Sequence, residues 1–322
     1  MARAPARVEL ADVERAAARI APHALVTPLV RLPVAGDVLA KLESLQRTGS
    51  FKFRGALNAL ASLPPDRLGN GVVADSSGNH AQGVAAAARL LGVPATIVMP
   101  ENAVPLKVER TRALGAEIVR CGPSSDERKA VAAELRERRG LDYVPPFDDP
   151  RIVAGQGTVG LEILSALDGE DLDAVVVCVG GGGLLSGVAT AVKAARPDVR
   201  LIGVEPELAA DARESFESGR RVRWSAADVG RTVCDGVRTQ QVGELPFEII
   251  RRLVDEIVVV GDDAVLDAVR WYALEAKLVV EPTGALTLAA LRARAFVPTG
   301  RTVVVVSGGN CEPSLLSALM LS

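Results

Sequence analysis

Ser50-Phe51-Lys52-Phe53-Arg54-Gly55 places one amine between two aromatic residues, directly after the turn signal Thr48-Gly49. An unpaired ammonium is costly to bury, so a Lys enclosed by Phe51 and Phe53 is expected to have a lowered pKa. The neutral amine is the species that adds to a carbonyl. Lys is also scarce: of 37 Lys and Arg only six are Lys, at 41, 52, 107, 129, 193 and 277. A guanidinium cannot form a Schiff base, so a Lys kept here in an Arg-rich chain is a weak chemical hint. Taken by itself, the plainer reading is a helix-start Lys whose stem packs on apolar neighbours while its head stays in water.

Gly180-Gly181-Gly182-Gly183-Leu184 follows an apolar strand and opens a helix. Four glycines in a row carry a high conformational cost. Without Cβ atoms their N–H groups can close on an anion, helped by the positive end of the helix that follows. No Gly-Lys-Ser/Thr follows and the dinucleotide spacing is missing, so this is a phosphate cradle of another kind; a tight strand–helix turn is the alternative. Ser76-Ser77-Gly78-Asn79-His80 lies at another strand end before a helix. Its hydroxyls, amide and free N–H groups suit a carboxylate or an electron-rich ring oxygen. Simple N-capping by Ser77 or Asn79 explains one of these residues, not four together. Ser307-Gly308-Gly309-Asn310 repeats the theme after the last strand, where a Ser can cap or bond a ligand. One Lys, a phosphate cradle and a strand-end Ser together point to pyridoxal phosphate, with the aldehyde on Lys52, the phosphate on the glycines and the ring nitrogen on a polar group. Separately, Glu205 and Asp211, with a carbonyl at Ala209 between them, offer oxygen ligands to a hard cation; a solvated acidic loop is the alternative.

The elements that must position these groups follow from the apolar pattern. Helical spacing covers 9–21, and a short strand at 38–43 leads into the Lys52 segment and a helix over 53–63. Strands at 71–75, 94–99 and 116–120 alternate with helices over 79–91, 104–114 and about 125–139. Pro145-Pro146 marks a domain crossing. Beyond it come a helix over about 155–167, a strand at 174–179, a helix over 184–196 and a strand at 200–204. The stretch 206–247 is polar and irregular and receives no assignment. A strand at 257–260, helices over 262–276 and after Gly284, and a strand at 302–306 complete the chain. Short apolar strands alternating with helices imply an α/β protein of two doubly wound domains, with mainly parallel sheets and a cleft between them. The expected division is a large cofactor-binding domain from 1–66 and 147–322 and a small mobile domain from 67–146. Ligands of such sheets bind at the carboxyl ends of strands, where the motifs above fall.

Composition narrows the field. The chain has 322 residues, 48% hydrophobic and 24% charged, an ordinary globular balance long enough for two lobes. A net charge of −3 without a dense basic run excludes nucleic acid and an anionic membrane as partners. No apolar run reaches the ~18 residues that span a bilayer. Residues 1–19 lack the apolar centre of a secretory signal. Cys121, Cys178, Cys234 and Cys311 are far apart with no CxxC spacing and read as reduced, mostly buried thiols of a cytoplasmic protein. With His23 and His80 the only histidines, a multi-histidine metal centre is excluded.

In this order the motifs resemble those of the fold type II (tryptophan synthase β-like) pyridoxal-phosphate enzymes, in the threonine/serine dehydratase and serine racemase branch. The resemblance runs from Thr27-Pro28 to Asn310 and includes Ala154-Gly155-Gln156-Gly157-Thr158 beside the motifs already quoted. It implies that Lys52 is the Schiff-base lysine and that Phe53 packs against the cofactor ring. It further implies that Asn79 bonds the ring hydroxyl, that Gly180, Gly181, Gly182, Gly183 and Leu184 hold the phosphate, and that Ser307 faces the pyridine nitrogen. Ser76, Ser77, Asn79 and His80 are the implied binding turn for the carboxylate of an amino-acid substrate. In the racemase branch Glu205, Ala209 and Asp211 resemble a structural magnesium or calcium site. Glu281-Pro282 resembles a Glu-Pro turn near the ring. The implied reaction is β-elimination from L-threonine or L-serine to a 2-oxo acid and ammonia, by a homodimer. Dehydratases of this branch often carry Ala where this chain has Ser77, and the racemases place there a Ser that acts as acid and base. Ser77 therefore keeps serine racemase, and dehydration of 3-hydroxyaspartate or phenylserine, as alternatives. The chain ends soon after Ser307, so the regulatory domain of biosynthetic threonine deaminases is not expected.

Overall fold

The structure is a computed structural model that describes residues 7–122 and 125–321. Uninterrupted apolar runs make its strands. Ala174–Cys178 (Ala-Val-Val-Val-Cys) and Thr302–Val306 (Thr-Val-Val-Val-Val) are buried along their whole length, as central parallel strands covered on both faces must be. In chain order the strands are β1 Leu29–Arg31, β2 Val38–Leu42, β3 Val72–Asp75, β4 Ala95–Pro100, β5 Glu117–Cys121, β6 Asp142–Tyr143, β7 Ala174–Cys178, β8 Arg200–Pro206, β9 Glu256–Val260 and β10 Thr302–Val306. They form a six-stranded sheet in the order β1-β2-β10-β7-β8-β9 and a four-stranded sheet in the order β5-β4-β3-β6. Every pairing is parallel except that of β1 with β2.

The strand orders fix where ligands can enter. In the larger sheet β8 and β9 lie to one side of β7, and β10 and β2 to the other, so the winding reverses between β7 and β10. In the smaller sheet it reverses between β3 and β6. The carboxyl ends at such reversals open into a crevice, because the helices leave in opposite directions. Gly180 follows β7, Ser307 follows β10 and Ser76 follows β3. The three motifs therefore occupy the carboxyl ends beside the two reversals.

One apolar core surrounds the larger sheet, from Leu32 to Val306. A second surrounds the smaller sheet and includes Phe53, Ala56, Leu57 and Leu60 from the helix Lys52–Ala61. That helix belongs to the chain segment preceding the small sheet, yet its apolar face completes the small sheet's core. The unassigned stretch 206–247 holds the helix Asp211–Ser218 and the start of the helix Glu244–Leu253. The first shows a weak pattern because it buries only Asp211, Ala212 and Ser215. The second carries Pro246 in its first turn, where Pro is compatible with a helix. The helix expected from about 155 begins at Pro150, with Asp149 accepting from the Arg151 N–H as its cap. The helix Asp262–Trp271 continues as a π-turn over Tyr272–Ala276 and stops at Lys277, whose φ is +58°. Among the described residues no helix is long and apolar enough to cross a membrane.

Candidate active site

A short antiparallel bridge fixes Lys52 next to Ser307. Ser50 pairs with Gly308, the Phe51 N–H donates to the Ser307 carbonyl at 3.1 Å, and the Gly309 N–H donates to the Gly49 carbonyl at 2.8 Å. Thr48 and Gly49, at φ +62° and +73°, turn the chain into this bridge, and the helix Lys52–Ala61 starts two residues beyond it. Left-handed backbone is ordinary for Gly but strained for a β-branched residue such as Thr48.

The Lys52 ammonium donates to the Pro146 carbonyl at 2.8 Å and lies 5.2 Å from the Phe51 ring centre. Burial pushes its pKa down to about 8, opposed only in part by the charge of Cys178. This is not the setting of a snorkelling surface cation. The expected enclosure by two rings is corrected, however. Residues two apart on a helix point to opposite sides, and Phe53 is 1% exposed inside the small-sheet core. Among the described residues the ring beside the amine is Phe51, while Phe53 packs in the small-sheet core and supports the helix.

The base of the helix is held by a buried ion cluster. Arg54 donates to both oxygens of Glu43 at 2.8 Å and to Glu162 at 2.6 and 2.8 Å. Lys41 donates to Glu162 at 2.5 Å and to the Thr27 carbonyl at 2.7 Å. Two cations face two carboxylates, and each charged group has several bonds, which is the condition under which a buried cluster is tolerated. The cluster ties β2, the Thr27 segment and the helix Pro150–Leu167 to the residue two places after Lys52.

The tetraglycine turn is crowded on several sides. A methyl on Gly181 would overlap the Phe147 ring, one on Gly180 would lie 2.9 Å from Val237, and one on Gly182 would lie 2.8 Å from Pro246. Gly182 also has φ +86°. Packing thus accounts for part of the run that the sequence suggests is there for an anion. The anion argument stands on the next residues. Gly183, Leu184 and Leu185 form the first turn of the helix Gly183–Ala195, whose N-cap has no side-chain bond, so their N–H groups have no intrahelical acceptor.

Ser307 is 1% exposed, and its hydroxyl has no hydrogen-bond partner of ordinary geometry. The Cys178 thiol at the end of β7 faces it and is pushed up to about 11 by burial. The helix Asn79–Leu91 likewise has no side-chain cap, so capping does not explain Ser77 or Asn79. Ser77 is half-buried and makes no side-chain bond among the described residues. The Ser76 hydroxyl accepts from the Gly78 N–H at 3.2 Å. His80 is different: its Nε2 is bonded to the Val144 carbonyl at 2.9 Å, and burial pushes its pKa down to about 3. Its imidazole is neutral and committed inward, so its contribution to the turn is its backbone N–H. Asn79 donates to Glu281 at 2.6 Å and accepts from Asn310 at 2.8 Å.

The crossing at Pro145-Pro146 was read from the sequence, but not that the strap 145–149 contributes to the site. It supplies the Pro146 carbonyl to Lys52 and the Phe147 ring to the glycine turn. Asp148 accepts from the N–H groups of Glu244 and Leu245 at 2.9 and 3.0 Å, and so caps the helix Glu244–Leu253. The Asp149-Pro150 pair was a legible cap signal; the role of Phe147 had no signal at all.

Glu205 and Asp211 come together in the interior, and each is fully buried. The Glu205 carboxyl accepts from the N–H groups of Ala212 and Arg213 at 3.2 and 2.7 Å, whereas neither oxygen of Asp211 has a partner. Burial and the charge of Asp211 raise Glu205 well above the usual carboxylate range, and burial pushes Asp211 up to about 7. The solvated-loop alternative does not hold. Among the described residues no three His, Cys, Asp or Glu side chains converge as metal ligands, so any cation here needs backbone oxygen. Ala209, between the two acids, is buried with them.

The residues around Lys52 fit pyridoxal phosphate: an amine with a depressed pKa, an orphan buried hydroxyl, and a helix start with free N–H groups. Comparison with known proteins agrees. The family model described as "Pyridoxal-phosphate dependent enzyme" matches residues 20–308. The chain is 41% identical to a serine racemase of Schizosaccharomyces pombe, over 94% of each. It is 43% identical to an L-threo-3-hydroxyaspartate ammonia-lyase of Pseudomonas sp, over 96% of this chain and 97% of that one. It superposes on the crystal structure of a T.th. threonine deaminase with a TM-score of 0.90 and 47% identity, covering 94% of this chain and 99% of that one.

Proposed function

The chain belongs to the pyridoxal-phosphate-dependent enzymes, and from that premise we propose that it is an ammonia-lyase. Its reaction is β-elimination on L-threonine or L-serine, giving 2-oxobutanoate or pyruvate and ammonia. The observation that carries this reading is the pinning of Lys52 beside the orphan hydroxyl of Ser307 by the 49–51/307–309 bridge. Lys52 would hold the cofactor's carbonyl carbon, the N–H groups from Gly180 to Leu184 its phosphate, Ser307 its ring nitrogen and Asn79 its ring oxygen. When bound, the cofactor supplies an electron sink that acidifies the substrate's α-carbon proton.

The protein's own groups do the rest. The N–H groups and hydroxyls of Ser76–His80 bind the substrate carboxylate at a helix start, where the backbone dipole favours an anion. Lys52, with a pKa about 8, is a base close enough to neutrality to take the α-proton, and the β-hydroxyl leaves as water once it has received a proton. A serine opposite the ring nitrogen is a weak acid and leaves that nitrogen unprotonated.

A second reading, serine racemase, is supported by Ser77, a half-buried hydroxyl on the same turn with no partner of its own. A second acid–base group besides Lys52 would allow inversion at the α-carbon. Incubation with L-threonine and L-serine, followed by assay of 2-oxo acid and D-serine, decides between the two. We expect oxo acid to form faster than D-serine and both to vanish in Lys52→Ala; faster D-serine would overturn the proposal.

The residues 1–66 and 147–322 act as the cofactor-binding domain and 67–146 as a smaller mobile one, supported by the division of the two sheets. Glu205, Asp211 and the Ala209 carbonyl hold a structural magnesium or calcium ion, supported by the orphan oxygens of Asp211. The enzyme works as a cytoplasmic homodimer, a reading supported by its four free, buried thiols and by exposed apolar side chains beside residues 44–46.

A further inference from the structure

The Asn79 side chain is locked from both ends. Asn310 Nδ2 donates to the Thr48 carbonyl at 2.8 Å and to Asn79 Oδ1 at 2.8 Å, and Asn79 Nδ2 donates to Glu281 Oε1 at 2.6 Å. The orientation of each amide follows from chemistry. A backbone carbonyl only accepts, so Asn310 must turn its nitrogen to Thr48. The second hydrogen of that nitrogen then requires the Asn79 oxygen, which leaves the Asn79 nitrogen for Glu281. A carboxyl oxygen accepts there whether the group is charged or protonated. Asn79 is left with one free N–H and a committed oxygen.

Space has been made for this relay. A methyl at Gly308 would overlap Glu281 Oε1 and lie 3.3 Å from Asn79 Nδ2. One at Gly49 would lie 2.7 Å from the Asn310 oxygen. The Glu281 N–H also donates to the Gly308 carbonyl at 3.2 Å, so the carboxyl is fixed against the turn that follows Ser307. Glu281 is 4% exposed, and burial, reinforced by the charge of Asp235, pushes it up to about 8. Besides Asn79, the Asn310 backbone N–H bonds this carboxyl, and keeping a carboxyl in such a place for these bonds is unfavourable for the fold alone.

Resting on the cofactor reading above, we propose that Glu281 is a positioning residue. Through Asn79 it ensures that the site offers the cofactor's ring oxygen a donor and never an acceptor, and so selects that oxygen in its hydrogen-bond-accepting form. The relay spans both lobes, joining the start of the helix Asn79–Leu91 to the ends of the larger sheet, so the selection is made only when the two are docked.

The test compares binding of pyridoxal 5′-phosphate and its 3-deoxy analogue, which lacks the ring oxygen, to the cofactor-free protein by calorimetry. A hydrogen bond to a charged oxygen is worth roughly tenfold or more in affinity, so the wild type should prefer pyridoxal phosphate by about that factor. Glu281→Met should bring the preference to within about threefold of unity while leaving the analogue's affinity unchanged. Glu281→Gln, which retains a carbonyl acceptor, should keep most of it. Gly308→Ala, which displaces the same oxygen from another position, should lower it as Glu281→Met does, and serves if that variant does not fold. An unchanged preference in these variants, or an equal loss for both ligands, would overturn the proposal. If the wild type binds neither ligand, it is the cofactor reading that falls.

Discussion

A lysine amine is ordinarily charged until pH ~10. Lys52 departs from this because burial penalises its ammonium, opposed only in part by the charge of Cys178, while the amine donates to the Pro146 carbonyl. Lys41 is also lowered by burial, but there the charge of Glu162, to which it donates, works against the shift. The free-amine fraction of Lys52 should therefore rise through pH about 8, so the window from there to ~10 is where Lys52 is neutral and an ordinary lysine is not. Arylation of the cofactor-free protein with fluorodinitrobenzene, followed by peptide mapping, should give half-maximal reactivity at Lys52 near that pH. A midpoint near 10 would contradict the burial argument. Lys52 was legible as a candidate from its neighbours and its scarcity. That Phe51 and not Phe53 borders it was not legible, because adjacency in sequence says nothing about which side of a helix a ring takes. The inward bond of the His80 ring was not legible either, because it runs to Val144 on a distant segment.

Among the elements, the turn from β8 into the helix Asp211–Ser218 brings two carboxyls together in the interior. A carboxyl raised by burial keeps its proton in the folded state after the unfolded chain has lost it. For Asp211, stability is full below pH ~4 and declines as the pH rises toward about 7. A divalent cation held by the ionised pair would offset that loss. Millimolar calcium or magnesium should thus raise the melting midpoint by several degrees at pH 8 and leave it unchanged at pH 5. At a hundredfold excess over Kd the gain is about 2.7 kcal/mol. Asp211→Asn should abolish the effect, and a midpoint indifferent to cations at pH 8 would remove the site. The spacing of Glu205 and Asp211 was visible in the sequence, whereas their full burial was not, because acidic residues near a polar stretch read as solvated. The same limit hid the helices of 206–247. Strands such as β7 and β10 were plain because both of their faces are apolar.

For the whole molecule, the alternation of strands and helices gave the two-sheet architecture, and the strand orders explain why motifs so far apart in sequence meet. What alternation cannot give is which residues stay uncovered. Leu25, Val26 and Leu45 are 44%, 82% and 49% exposed, and the Leu25 backbone is bonded to Gln46 beside Leu45. Val279, 54% exposed, borders Ser44 through Gly309. This cluster is the surface on which the proposed homodimer would form. Val26→Glu should shift the mass in light scattering from twice the 33.6 kDa chain to once, and a wild type that is already monomeric would contradict the assignment. The central claim is that one lysine of six carries the cofactor. Reduction of the protein with borohydride in the presence of pyridoxal phosphate, followed by mass mapping of its peptides, tests it directly. A single pyridoxyl group is expected on Lys52 with the other five lysines clear; a label on any other lysine, or spread among several, would contradict the assignment of Lys52.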